Sequence, residues 1–321
     1  MKKRTISMAV STLILVLIYS QINVAELVDI FRQCDRFWMA VSLLMVIPLT
    51  GLTAWRLQQL VPRTVKLSFA EANRLILAAS VLNMVLPSKM GDIAKAYFMR
   101  DRGHLTGSFA LSLVVFEKTC DMLSLLLWCA FGLMIYPKRD PFFWMMTAGV
   151  VGGTVIGLLI LGSKPCANFF FHTAQKIAPK KLRAKLGQLQ TAWKEMHDYF
   201  WGDKTQLLKV GLTSIFIWFL HLLQIWLFIL ALNAWAPFIV NLALSPLAIL
   251  AGLLPLTFAG IGTRDAALVF LYQPYFDATT AAALGILCTA RYFLPAVAGL
   301  PFLNQYLTQI RSWRSSEPLD P

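Results

Sequence analysis

Long apolar runs constrain the fold of this 321-residue chain more than any other feature. Several of them extend over about 18 to 25 residues, the length a helix needs to cross a hydrocarbon core about 30 Å thick. Because that core holds no water, a spanning segment must satisfy its own backbone hydrogen bonds, as a helix does. Only 14% of the residues are charged, against about a quarter in soluble domains. The sequence predicts an all-α, polytopic membrane helical bundle and not a soluble enzyme.

Six runs are predicted to be full spans, and two further apolar stretches are interrupted. The full spans are predicted at 5–22, 37–55, 107–136, 141–162, 206–233 and 278–303. The interrupted stretches, 69–87 and 242–258, each run into a break rich in proline and glycine. No small-residue cleavage site follows the first run, so we expect it to be retained as a span and not removed as a signal peptide.

Basic residues predict the orientation of the chain, because Lys and Arg collect in cytoplasmic loops. The loop 163–209 carries nine basic residues against three acidic ones. A short loop holding Arg56, Arg63 and Lys66 is placed on the same side. We therefore expect a multi-pass protein of the bacterial inner membrane with both termini in the cytoplasm. This topology accounts for the net charge of +13, and since no nucleic-acid-binding motif is present, nucleic acid is not an expected partner.

The chain is interpreted as one integral membrane domain. Its predicted parts are a first half at 1–162, a cytoplasmic basic loop at 163–205, a second half at 206–305 and a C-terminal tail at 306–321. Within the loop, the pattern over 170–200 favours one amphipathic helix on an anionic leaflet, with a solvated linker as the alternative.

Several site classes lack their motifs. The five cysteines and four histidines form no CxxC pair, no HExxH and no other metal-ligand spacing. No P-loop is present either, so we expect no metal, no cofactor and no ATP-driven chemistry. One GxxxG motif, Gly153 to Gly157, allows close helix approach and is expected to serve internal packing more than a dimer face. The oligomeric state is not specified by these patterns.

The two interrupted stretches share one plan, in which an apolar helix ends and a new helix opens at an Asp. Proline removes a backbone donor and glycine permits positive φ, so each stretch is predicted to break. Asp92 and Asp265 are expected in the first turn of the new helices, where the helix dipole favours negative charge. Interrupted helices in corresponding places of two halves are typical of transporter sites. One stretch is predicted to enter the membrane from the inside and the other from the outside, as an inverted repeat would require. The alternative is that both are ordinary loops. The predicted backbone breaks are at Pro87, Gly91, Pro255, Gly260 and Gly262.

Ionisable residues lie inside the apolar runs, where each costs about 2.5 to 3.5 kcal/mol if it is central and unpaired. Glu117 and Asp121 are four residues apart and therefore share one helix face. Mutual pairing is one explanation. The other is an anion site, made by cations beside free helix N-termini, for which a lipid phosphate is the natural ligand. The predicted substrate-binding residues are Asn83, Lys89, Asp92, Lys95, Glu117, Lys118, Asp121, Arg264, Asp265 and Arg291.

Three motifs in order carry a resemblance to a known family. They are LNMVLPSKMGDIAKAYFMR, VFEKTCDML and LLPLTFAGIGTRDAALVFLY. Over residues 5–305 the chain resembles the flippase-like membrane domain family, the transmembrane region of lysylphosphatidylglycerol synthases and their stand-alone relatives. Asp265 stands where that family usually has Glu. Lys118 replaces the commoner Arg, which weakens any bidentate role.

The resemblance implies movement of a charged phospholipid or a polyprenyl-phosphate-linked sugar lipid between leaflets. Lys89, Lys95, Arg264 and Arg291 would then contact the lipid phosphate. The carboxylates would orient these cations, and one of them is a candidate carrier of a coupling proton. Without an ATP motif, transport would be proton-coupled or equilibrating.

Two other functions are left open by the sequence. One is a non-transporting membrane scaffold for lipid or envelope-glycan synthesis, whose partner would be a lipid-modifying or glycan-synthesis enzyme in addition to membrane lipid. The other is a lipid-linked glycosyl- or phosphotransferase, which would want paired carboxylates at a span end. Lysyl-transferring relatives also carry a large soluble catalytic domain, and because the chain ends at Pro321, we do not expect aminoacyl transfer.

Overall fold

The computed structural model describes residues 23–62, 66–85, 91–103, 105–253 and 262–314. Within these ranges the protein is all-α and contains no strand. The predicted first span at 5–22 lies outside them. So do four predicted site residues, Pro87, Lys89, Pro255 and Gly260.

Helices occupy most of the described chain. Those that precede the basic loop are α1 (Val24–Arg32), α2 (Arg36–Leu44), α3 (Val46–Leu60), α4 (Phe69–Val85), α5 (Gly91–Gly103), α6 (Gly107–Ile135) and α7 (Pro141–Gly162). Those within the basic loop and after it are α8 (Lys164–Ile177), α9 (Lys180–Gly202), α10 (Lys204–Ala231), α11 (Phe238–Leu253), α12 (Thr263–Tyr272), α13 (Ala278–Ala290) and α14 (Phe293–Arg314).

Four helical stretches of the described residues are long and apolar enough to cross a membrane. They are Arg36–Leu60, Pro141–Gly162, Lys204–Ala231 and Ala278–Leu303. Each coincides with a predicted span, and the 29-residue helix α6 coincides with the predicted span at 107–136. The chain is thus a multi-pass membrane protein.

The packing of the chain defines two compact units, each assembled from three separate segments. The first unit consists of Met1–Leu49, Ser124–Gly153 and Phe216–Leu294. The second unit consists of Thr50–Leu123, Thr154–Ile215 and Pro295–Pro321. The boundaries fall inside α3, α6, α7, α10 and α14, so each of these helices contributes one end to each unit. Each unit therefore contains segments from both of the halves predicted from the sequence.

Each unit has its own apolar core. Buried residues of the first core include Leu125, Phe228, Leu247, Leu268 and Leu284. Buried residues of the second core include Leu57, Leu75, Leu113, Phe116 and Phe200. The rings of Phe116 and Phe200 stack with their centroids 4.0 Å apart. Since lipid tails are as apolar as leucine, such close packing between helices, and not removal from water, holds each core together.

The GxxxG motif of α7 packs internally, as predicted. A Cβ added at Gly153 would lie 3.1 Å from the side chain of Leu126, and one added at Gly157 would lie 2.7 Å from that of Leu123. Both neighbours belong to α6. Gly149, one turn earlier, has nothing within 4 Å of such a Cβ.

The basic loop folds as two helices, and the prediction of one amphipathic helix over 170–200 is wrong on this point. Ala178 is extended between α8 and α9, and Pro179 follows it. Proline disfavours the helical conformation of the residue before it, so α8 ends here. The two helices pack together. Gln190 on α9 joins them by hydrogen bonds with Asn168 at 2.9 Å and Gln175 at 3.1 Å.

Candidate functional site

Helices α4 and α5 form the first interrupted pair. They pack closely on each other, and the contact is at its tightest where α5 begins. A Cβ added at Gly91 would lie 2.4 Å from the carbonyl oxygen of Ala79 and 2.6 Å from the backbone nitrogen of Asn83. Real Cβ atoms do not approach backbone so closely, so the pair requires glycine at this position. Asp92 stands in the first turn of α5, as predicted.

Helices α11 and α12 form the second interrupted pair and repeat this plan. Gly262 precedes α12 with a φ of 103°, a left-handed conformation that favours glycine. Asp265 lies in the first turn and accepts a hydrogen bond from the Gly262 amide at 2.9 Å, which caps the helix. A Cβ added at Gly252 on α11 would lie 2.8 Å from the Cβ of Arg264.

Six charged side chains of the second unit form a closed ring of alternating charge, which we call the charge ring. Glu117 on α6 joins two cations from other helices. Its Oε1 accepts a hydrogen bond from Arg56 at 2.7 Å, and its Oε2 accepts one from Lys95 at 2.8 Å. In order around the ring, the members are Arg56, Glu117, Lys95, Asp92, Lys118 and Asp121.

The other side of the charge ring is closed by Lys118. Its Nζ lies 2.9 Å from Asp92 and 3.7 Å from Asp121. Asp92 in turn pairs with Lys95 at 3.0 Å, and Asp121 pairs with both terminal nitrogens of Arg56. The ring therefore balances three cations against three carboxylates.

Burial is uneven around the charge ring. The side chains of Arg56, Lys95 and Glu117 are 1% to 2% exposed, whereas Asp121 is 21% and Lys118 is 43% exposed. Buried ion pairs pay a large desolvation cost, so a network of this kind is weak evidence for stability by itself. The charges of the ring compensate one another inside the protein, and Lys118 is its most exposed member.

Arg56 is the member of the charge ring that the sequence analysis missed. It was predicted in a cytoplasmic loop after the span 37–55, but α3 continues to Leu60 and Arg56 is 2% exposed. Leu57 and Leu60 continue the apolar pattern at helical spacing, which is the signal that extends the span. Ser214 on α10, also not predicted, accepts a hydrogen bond from Arg56 at 2.9 Å.

Arg264 of the first unit is held by its own helix and by α13. Its Nη2 donates to the carboxylate of Asp265 at 2.8 Å, to the carbonyl of Gly285 at 3.0 Å and to the hydroxyl of Thr289 at 2.6 Å. Arg264 and Asp265 are both buried. This cation is therefore compensated by a neighbouring carboxylate.

Arg291 of the first unit lies in the turn between α13 and α14 and is 5% exposed. Its guanidinium donates to Gln224 Oε1 at 3.2 Å, to the His221 carbonyl at 3.5 Å and to the Tyr292 hydroxyl at 3.1 Å. Its Nε has no hydrogen-bond partner, and no carboxylate of the described residues lies within 4 Å. Among the described residues, Arg291 is thus a buried cation without a neighbouring counter-charge. Gln224 was not predicted, although a polar residue inside an apolar span is itself a signal.

The structure brings some of the predicted site residues together and leaves others apart. Asn83 lies on α4 beside Gly91, and its buried Oδ1 has no hydrogen-bond partner among the described residues. Arg264 pairs with Asp265, and Arg291 has no such pairing. The predicted residues that come together in the charge ring are Asp92, Lys95, Glu117, Lys118 and Asp121.

Comparison with known proteins places the chain in a family. A family model described as the lysylphosphatidylglycerol synthase TM region matches residues 4–299. No curated protein and no solved structure matches the chain significantly. The matched region includes both interrupted helix pairs, the charge ring and Arg291. The chain therefore belongs to the family of the lysylphosphatidylglycerol synthase TM region.

Proposed function

We propose that the protein is a lipid flippase or lipid-transport protein, not an enzyme, which moves an anionic or polyprenyl-phosphate-linked lipid between the leaflets of the bacterial inner membrane. The observation that carries this proposal is Arg291, a buried cation with no carboxylate of the described residues within 4 Å. An uncompensated charge inside a membrane protein is costly and marks a functional group. A lipid phosphate compensates it, because guanidinium and phosphate form charge-assisted hydrogen bonds.

The interrupted helix pairs support movement of the lipid over static binding. Both pairs pack closely at a glycine, and an Asp stands in the first turn of the second helix. We interpret α4–α5 and α11–α12 as re-entrant segments related by an inverted repeat, with both chain termini in the cytoplasm. Interrupted helices of this kind line transport sites in other membrane proteins.

Lipid movement in reconstituted vesicles tests this function. A phosphatidylglycerol with a fluorescent label is placed in both leaflets, and a membrane-impermeant quencher is added outside. Protein-containing vesicles should lose nearly all fluorescence, while protein-free vesicles keep the inner-leaflet half. Arg291→Gln should return the trace to that of protein-free vesicles, and Arg291→Lys, which keeps the charge, should retain part of the movement.

Arg32→Gln supplies a matched control. This arginine is 76% exposed and pairs only loosely with Asp29 at 3.6 Å, so its loss should leave movement unchanged. Equal traces with and without wild-type protein would reject transport in favour of a scaffold that binds a lipid-modifying or glycan-synthesis enzyme. Full activity of Arg291→Gln would show that lipid movement does not depend on Arg291.

A further inference from the structure

We propose that the charge ring couples the binding of an anionic lipid to the uptake of about one proton, with Lys118 as the cation that leaves the ring to bind the phosphate. This inference rests on the proposed function, because it takes the anionic lipid as the ligand. It adds a proton linked to lipid binding, which neither the family nor the sequence motifs assign to particular residues.

Lys118 differs from the other two cations of the charge ring in both exposure and connectivity. Its side chain is 43% exposed, against 2% for Arg56 and Lys95. The distance from Lys118 Nζ to the Asp121 carboxylate is 3.7 Å, which is too long for a direct hydrogen bond. Arg56 and Lys95 each hold two carboxylates and share Glu117. The five remaining groups therefore stay connected when Lys118 moves to an external anion.

The charge count then requires a proton. With Lys118 engaged outside, Arg56 and Lys95 face three carboxylates, which leaves the buried cluster with one negative charge in excess. An uncompensated buried charge is strongly unfavourable. Hydronium from the aqueous side gives its proton to a carboxylate oxygen of the Asp92–Asp121 pair, which Lys118 had bridged, and a water molecule is released. When the anion leaves, Lys118 returns and the proton goes back to water.

The proton belongs to the Asp92–Asp121 pair and not to one residue, because strongly interacting sites titrate together. Asp92 stands at the start of α5, where the helix dipole favours its ionised form, while Asp121 keeps its contact with Arg56. Among the described residues, neutral groups close to the cluster include the buried thiol of Cys120 on α6 and the hydroxyl of Ser214 on α10. Neither supplies the missing positive charge.

Calorimetric titration of the full-length protein in detergent tests the coupling. Short-chain phosphatidylglycerol is added in two buffers of equal pH whose ionisation enthalpies differ, and the difference in heat gives the protons taken up. Wild-type protein should take up about one proton for each lipid bound. Asp92→Asn and Asp121→Asn should each remove the buffer dependence, because the cluster without Lys118 is then neutral. Lys118→Gln should weaken binding, because it removes the cation that binds the phosphate, and the binding heat that is left should be equal in both buffers, since the cluster already carries its proton before lipid is added.

Controls separate this inference from the proposed function. Asp121→Glu keeps the charge count and should keep the uptake, so its behaviour distinguishes charge from packing. Wild-type binding with the same heat in both buffers would overturn the coupling and leave lipid transport intact. Absence of any binding heat, together with inactive vesicles, would overturn the proposed function itself. The wild-type comparison needs no substitution, so a variant that fails to fold does not remove the test.

Discussion

Arg56 joins two carboxylates of the charge ring on α6 to a hydroxyl on α10. It holds Glu117 and Asp121 at the same time and reaches Ser214 on α10. Removing one partner of a buried pair is far more costly than removing the whole pair, because a charge is left without compensation. Without Arg56, Glu117 and Asp121 would each lose one of their two cations.

Arg56→Gln should therefore lower the free energy of unfolding by about 3 to 5 kcal/mol. Unfolding by a denaturing detergent in mixed micelles, followed by circular dichroism, measures the change. Arg32→Gln removes an exposed ion pair and should cost less than about 1 kcal/mol. A similar small loss for both variants would mean that the charge ring adds nothing to stability.

Part of the charge ring was predictable from spacing alone. Glu117 and Asp121 are one helical turn apart, and a helix necessarily brings them to one face. Arg56 was not predictable as their partner, because it lies 61 residues before Glu117 and only the packing of α3 on α6 joins them. Among the described residues, the lack of a counter-charge at Arg291 could not be predicted from the sequence either, because it depends on which helices surround the turn between α13 and α14.

At the scale of elements, the interrupted helix pairs owe their close packing to glycine. The predicted breaks at Gly91 and Gly262 coincide with helix starts in the structure, because proline and glycine act locally on the backbone. The break at Pro179 in the basic loop obeys the same rule and was missed, since the amphipathic pattern continues across it. Local chemistry thus predicted where helices end better than periodicity did.

Gly91→Ala should destabilise the protein by about 1 to 3 kcal/mol, the usual cost of overpacking. The added methyl group would meet the backbone of Ala79 and Asn83 on α4, which cannot move without separating the two helices. Gly149→Ala is the matched control, because it adds the same methyl group to open space on α7. That change should be neutral or stabilise by up to about 1 kcal/mol. The thermal midpoints of the two variants in one detergent give the comparison, and a tolerated Gly91→Ala would contradict the packing described for α4 and α5.

At the scale of the whole molecule, the two compact units could not be read from the sequence. The apolar runs predicted the spans, but the units divide α3, α6, α7, α10 and α14 between them. This division depends on contacts between residues far apart in the chain. The cytoplasmic location of both termini stays a prediction that rests on the basic loops.

The native cysteines test that orientation. Cys34 and Cys166 are partly exposed, while Cys120, Cys129 and Cys288 are buried. A membrane-impermeant maleimide should label Cys34 in intact spheroplasts, because the loop between α1 and α2 is predicted to be external. Cys166 on α8 should react only after the membrane is opened. Cys34→Ser and Cys166→Ser identify each signal by mass, and labelling of Cys166 from outside would reverse the predicted orientation.

The charge ring also bears on how the chain enters the membrane as it is synthesised. All six members lie between residues 56 and 121, so every ionic partner leaves the ribosome before any part of Phe216–Leu294 is made. A nascent chain can therefore pass the six ring members on α3, α5 and α6 from the insertion channel into lipid as one electrically neutral group. In the first unit, α1 and α2 close later, because they contact α13 and α10, which belong to that late segment. During synthesis, the ion pairs of the second unit are thus expected to form before the first unit is complete.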